Sequence, residues 1–177
     1  MRLPITVKGA LMPDAHQGYG LPIGGVLAAE NAVIPYGVGM DIGCRMCLTV
    51  YDLTPAFLDK NRAKLKDMLL ENTRFGLDQF PKPMDDEVLE RNEFREIPKL
   101  KELKPKAVSQ IGTSGSGNHF VEFGIVDITD ENNEFGLPPA QYIGLLSHSG
   151  SRGFGANIAR HYTKIAMEKC LLPKEAR

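Results

Sequence analysis

Between Met1 and Leu53, glycine and proline recur so often that the chain there can form only short extended pieces joined by tight turns. Apolar runs such as Ile23 to Ala29 and residues 47–50 are punctuated by Gly or Pro, and no helix fits. From Thr54 the pattern changes. Thr54 can cap and Pro55 suits a first helical position, while Phe57, Leu58, Leu65, Met68 and Leu69 form one apolar stripe, predicting a helix to about Glu71. Shorter helices are predicted at Met84-Asp85-Asp86-Glu87-Val88-Leu89 and Lys99-Leu100-Lys101-Glu102-Leu103, with loop over residues 73–83. The strand pattern resumes from Ala107 to Ile111 and from Phe120 to Ile128, the latter ended by Asp130-Glu131-Asn132-Asn133 as a hairpin or surface loop. A last strand, Tyr142 to Leu146, runs into a polar loop and then a helix marked by Ile158, Tyr162, Ile165 and Ala166.

The 177 residues, 42% hydrophobic and 24% charged, suit one soluble globular domain with a core. A formal net charge of -1 neither indicates nor excludes a nucleic-acid partner, because a basic groove can sit within a neutral total. No apolar run approaches the ~20 residues that cross a bilayer, and Met1-Arg2-Leu3-Pro4-Ile5-Thr6 lacks the apolar core of a secretory signal, so a cytoplasmic location is expected. Three cysteines, Cys44, Cys47 and Cys170, argue against a disulfide framework.

The chemistry concentrates in glycine-rich polar segments. Three histidines stand in Asp14-Ala15-His16-Gln17-Gly18, Gly117-Asn118-His119-Phe120 and Ser147-His148-Ser149-Gly150, and a fourth segment reads Gly39-Met40-Asp41-Ile42-Gly43-Cys44. Imidazole, carboxylate and thiolate are the groups that hold transition metals, and the surrounding residues contribute little to a core. On a strand Asp41 and Cys44 would point to opposite faces; a bend, which Gly37, Gly39 and Gly43 permit, is needed for them to share an ion. Cys44-Arg45-Met46-Cys47 is formally a redox spacing, but Cys47 opens an apolar run rather than a helix. No second close pair completes a Cys-rich zinc site.

Ser149, Ser151 and Arg152 precede the last helix, where backbone N–H groups and a guanidinium suit a phosphate; serine capping alone is the plainer alternative. Gly112-Thr113-Ser114-Gly115-Ser116-Gly117-Asn118 is also phosphate-friendly, yet it is neither a Walker loop nor a dinucleotide fingerprint, and there is no Gly-x-Ser-x-Gly elbow. His161 reads as a surface or packing residue.

Four segments together resemble the RtcB RNA ligases: Met12-Pro13-Asp14-Ala15-His16-Gln17-Gly18-Tyr19-Gly20, Gly37-Val38-Gly39-Met40-Asp41-Ile42-Gly43-Cys44, Ile111-Gly112-Thr113-Ser114-Gly115-Ser116-Gly117-Asn118-His119-Phe120 and His148-Ser149-Gly150-Ser151-Arg152-Gly153, in the family's order. The resemblance implies an α+β fold with mixed sheets around a central metal cleft. It implies joining of RNA ends bearing a 2′,3′-cyclic phosphate or 3′-phosphate to 5′-hydroxyl ends, as in tRNA splicing or RNA repair, with GTP and manganese and through a guanylylated histidine. By motif position Asp41, Cys44, His119 and His148 correspond to ligands of two manganese ions, with the Cys44 thiolate bridging. Asn118, His119, Phe120 and Glu122 correspond to the GTP site, Arg152 to an RNA phosphate contact, and Asp14 and His16 to supporting positions near the same cleft. Spacing alone would not select manganese, since a cysteine ligand leans toward zinc.

RtcB ligases continue beyond the arginine-containing loop, into a part that carries another metal-binding histidine and the nucleophile, whereas this sequence closes at Pro173-Lys174-Glu175-Ala176-Arg177. The expectation is therefore a partial chain, short at its N-terminus and inactive alone: the N-terminal and central part of one catalytic domain, with a helical insert over about residues 54–104. The alternatives are a non-catalytic metal and anion binding module, and a metal-dependent phosphohydrolase with Asp14 or Glu122 as base.

Overall fold

The computed structural model describes residues 3–18 and 20–171; Tyr19 of the first motif and the closing residues 173–177 lie outside them. The class is α+β, with two small antiparallel sheets and four α-helices among the described residues. By internal contacts the chain forms two compact units, residues 1–42 with 153–177, and residues 43–152.

In the first unit, β1 (Thr6–His16) and β2 (Ile23–Ala29) form an antiparallel pair with register shifts between Thr6 and Lys8 and between Leu11 and His16. A single 3₁₀ turn, Pro35–Val38, interrupts a region expected to hold no helix; Pro35 opens it and Gly39, at φ 88, closes it. One turn is all that the flanking glycines leave room for.

The second unit is built on a three-stranded sheet in the order β3 (Arg45–Tyr51), β5 (Ala140–Ser149), β4 (Phe120–Ile128). The helix α1 (Ala56–Asn72) follows its predicted stripe, and its C-terminus is closed by Arg74, whose Nη1 donates to Glu71 O at 3.0 Å and Thr73 O at 2.6 Å. Met68 and Leu69 of α1 border a cavity of about 310 Å³ with Val121, Phe123, Leu145 and Ser147, so α1 covers the odd-numbered face of β4 and β5. Ile143, 2% exposed, is the most buried large side chain there.

The acidic segment predicted as a helix is a 3₁₀ turn, Glu87–Glu90, capped by Asp86, whose Oδ1 accepts from Val88 N at 2.9 Å. It leads into α2 (Glu93–Glu96) and α3 (Pro98–Gln110). Residues 107–110, expected to begin a strand, are instead the last turn of α3, which continues through Pro105. Proline removes one hydrogen bond there, but buried Leu103 and the pairing of Lys104 with Glu90, both just before it, hold the helix against the rest of the unit.

Ser147, His148 and Ser149, expected in a loop, belong to β5. As the middle strand, β5 pairs His148 with Met46 on one side and Phe120 on the other. Ladder pairing on both edges outweighs the turn-forming composition of the segment. The helix α4 (Arg152–Lys169) starts three residues later.

Candidate metal centre

Strand register decides which residues of the second unit share a face. Directly paired residues point the same way and neighbours along a strand point oppositely. Met46, His148 and Phe120 form one row, and Leu48, Leu146 and Glu122 form the next row on the same face. Cys47 pairs with Ser147 and faces the other side, the one that α1 covers. The Cys-x-x-Cys spacing therefore divides its two thiols: Cys44 lies just before β3, on the histidine side.

There Cys44 Sγ is 2.7 Å from His148 Nε2 and 3.6 Å from His119 Nε2. The ligand atoms of Cys44, His119 and His148 all lie within 4.8 Å of one another. The two imidazoles meet edge to face with centroids 5.3 Å apart, and the Phe120 ring stands 5.5 Å from that of His148. His148 Nδ1 donates to the backbone carbonyl of Asn118 at 3.0 Å, which leaves Nε2 as the lone-pair nitrogen directed at Cys44.

One thiol and two imidazoles offer three donors and leave a fourth position open, the pattern of a reactive rather than a closed structural site. Ligands at ordinary sulfur and nitrogen distances from a tetrahedral ion stand about 3.5 Å apart. The Cys44–His119 separation of 3.6 Å already has that value, and the Cys44–His148 contact has to open by less than about 1 Å. The donor set thus fits a divalent transition cation.

The turn that carries His119 is anchored more widely than the sequence suggested. Ser114 N donates to Arg74 O at 2.9 Å, Gly76 N to Gly115 O at 2.9 Å, and Gly150 N to Ser114 O at 3.1 Å. Arg152 has φ 59, a left-handed conformation costing a non-glycine residue about 1–3 kcal/mol. Its guanidinium donates from Nε to Thr113 Oγ1 at 2.9 Å and from Nη2 to Gly76 O at 2.5 Å. Thr113 and Gly76 carried no sequence signal for this role, because the partners lie 39 and 76 residues from Arg152.

Asn118 and Glu122 are exposed beside the cluster's strand, on the turn before β4 and within it. Asp14, His16 and Asp41 belong to the first unit. His16 Nδ1 donates to Asp14 O at 2.8 Å, and both side chains are exposed near the end of β1. Asp41 is exposed, two residues before the second unit begins.

A sequence model described as "tRNA-splicing ligase RtcB" matches residues 1–100 and 90–175. The chain belongs to the RtcB family. It is 30% identical over 204 residues to an RNA-splicing ligase RtcB homolog 1 of Entamoeba dispar, covering 94% of this chain and 38% of that protein. It is 35% identical over 202 residues to a tRNA-splicing ligase RtcB of Aeropyrum pernix, covering 91% of this chain and 41% of the relative. A tRNA-splicing ligase RtcB of Methanococcus maripaludis is 35% identical over 199 residues, with 92% and 41% covered. The chain therefore spans about two fifths of the length of these RtcB relatives. Among the described residues no helix is long and apolar enough to cross a membrane.

Proposed function

We propose that the chain supplies the metal-holding part of a GTP- and manganese-dependent RNA ligase. The substrates are RNA ends, a 2′,3′-cyclic phosphate or 3′-phosphate to be joined to a 5′-hydroxyl, such as cleaved tRNA halves, in the cytoplasm. The observation that carries this reading is the convergence of Cys44, His119 and His148, which are up to 104 residues apart in sequence. Membership of the RtcB family supports it.

In this reading Cys44, His119 and His148 hold cations, and Asp41 adds a carboxylate. Manganese bound there would neutralise phosphate charge and polarise the phosphorus under attack. The Asn118 carbonyl keeps the imidazole of His148 in the tautomer that a cation needs. Phe120 and Glu122, on the same sheet face as His148, offer an apolar ring and a carboxylate to a guanine base. Asp14 and His16 act in support, and Arg152 retains donors for an RNA phosphate beyond the two bonds it makes within the protein.

Cobalt is the convenient probe, because a cobalt–thiolate bond absorbs strongly in the near ultraviolet. The native chain is expected to show that band, and Cys44→Ala to lose it with more than about a 100-fold drop in affinity, above the loss that outer-shell changes cause. Equal cobalt binding by both proteins would remove the metal centre and, with it, this reading.

A further inference from the structure

The contacts of Arg152 assign it a task separate from contacting RNA. We propose that Arg152 is a positioning residue, whose guanidinium sets where the 113–119 turn presents the His119 imidazole to Cys44 and His148. The inference rests on the metal-centre reading above and specifies which side chain holds that centre in shape.

The chain of contacts is continuous. Thr113 Oγ1 donates to Gln110 O at 2.7 Å, so its lone pairs face the Nε–H of Arg152 at 2.9 Å. Thr113 and Ser114 are only 6% and 5% exposed, so this bond sits where water does not compete freely. The second donation, from Nη2 to Gly76 O, ties in a residue whose own N–H holds Gly115 O. Gly115, at φ 108, is thereby fixed from two directions.

Gly115 also passes the restraint to His119. A β-carbon placed on it would collide with Arg152 Nη1 and would lie 2.7 Å from His119 Nδ1. The guanidinium and the imidazole thus pack on the same bare α-carbon. The same arginine opens α4, directly after the strand that carries His148, so one side chain restrains the segments that deliver both histidines. A lysine cannot replace it, because a single ammonium lacks the planar fork that reaches Thr113 and Gly76 together.

The test uses the full 177-residue chain, cobalt alone as ligand, and the imidazole nitrogen resonances of the metal-free protein. Arg152→Ala is expected to shift the His119 resonances while leaving those of His16 and His161 in place, and to weaken cobalt binding by about 10–100-fold. Arg152→Lys should fail to restore either. Thr113→Val keeps the arginine but removes the acceptor of its Nε–H without adding an atom beside His119, and should give the same two changes in smaller measure; it decides the matter if Arg152→Ala does not fold. Unaltered His119 resonances with native cobalt affinity, even alongside a lowered melting temperature, would reduce Arg152 to a purely stabilising residue and overturn the proposal. Absence of the cobalt–thiolate band in the native chain would strike the metal reading instead, and the imidazole resonances would still report on the hold of Arg152 over His119.

Discussion

Side-chain chemistry is a local property, and so the letters alone marked His16, Asp41, Cys44, His119 and His148 as metal-ligand candidates, of which the fold brings Cys44, His119 and His148 within 4.8 Å of one another. What the letters could not carry is the identity of residues whose part depends on where the backbone goes. Thr113, Gly76 and the carbonyl of Asn118 act through single hydrogen bonds to residues 30 or more positions away. Glycines in strands are a similar case. Gly144 looks like a weak point in β5, yet a β-carbon there would lie 2.6 Å from Val126 Cγ2 and 2.9 Å from Leu48 Cδ1. Its bare α-carbon lets those two side chains close over the middle strand. Gly144→Val should therefore destabilise the second unit by about 1–3 kcal/mol through overpacking, even though valine favours strands. Urea unfolding followed by circular dichroism measures it, and an unchanged midpoint would mean that Val126 and Leu48 have room to yield.

Elements with a clean period were legible: α1 from its apolar stripe and β4 from a nine-residue run bounded by polar turns. Elements whose composition conflicts with their surroundings were not. Residues 107–110 look extended after Pro105 but continue α3, because tertiary contacts outweigh the proline. The two stretches of the family match overlap at residues 90–100, inside this same helical segment. Its cohesion is partly electrostatic. Glu90 accepts from Lys104 and Arg95, each at 3.3 Å, thereby joining the 3₁₀ turn to α3 and α2. The hydrogen bond and charge of Lys104, then those of Arg95, hold the Glu90 carboxyl below its ordinary value of 4.5. A depressed folded-state pKa means that the contribution is full above the unfolded value and disappears as pH falls through the folded one. Glu90 and Arg95 are largely exposed and Lys104 is half-buried at the surface, so the effect is small and salt-sensitive. The protection factor of the Leu103 amide, its exchange rate taken relative to the intrinsic rate at each pH, should fall on acidification below about pH 4.5 in low salt, and Glu90→Gln should abolish most of that acid response. A response that survives Glu90→Gln undiminished would assign it to other carboxylates.

At the scale of the whole chain, the balance between buried and exposed apolar side chains sets the behaviour in solution. Leu89, Leu103, Ile128, Tyr142, Ile143 and Ala159 are the buried hydrophobic residues among those described. Against them, Val7, Leu11, Met12, Ile23 and Val26 of the β1–β2 pair are all more than half exposed, as are Met46, Leu70 and Ile125 in the second unit. A two-stranded pair gains little stability by itself, and exposed apolar patches of this kind associate or bind apolar dyes. The RtcB relatives carry more than half of their length outside the part matched here, so they possess sequence with which such faces can be covered. The isolated 177-residue polypeptide should consequently enhance anilinonaphthalene sulfonate fluorescence in native buffer, and sediment as a mixture that shifts to larger species as concentration rises. Leu11→Lys together with Val26→Lys, one on each face of the β1–β2 pair, should lower both signals without touching the Cys44, His119 and His148 cluster. A concentration-independent monomer that leaves the dye dark would show that both faces of the β1–β2 pair are tolerated in water, and their apolar side chains would then need no covering partner.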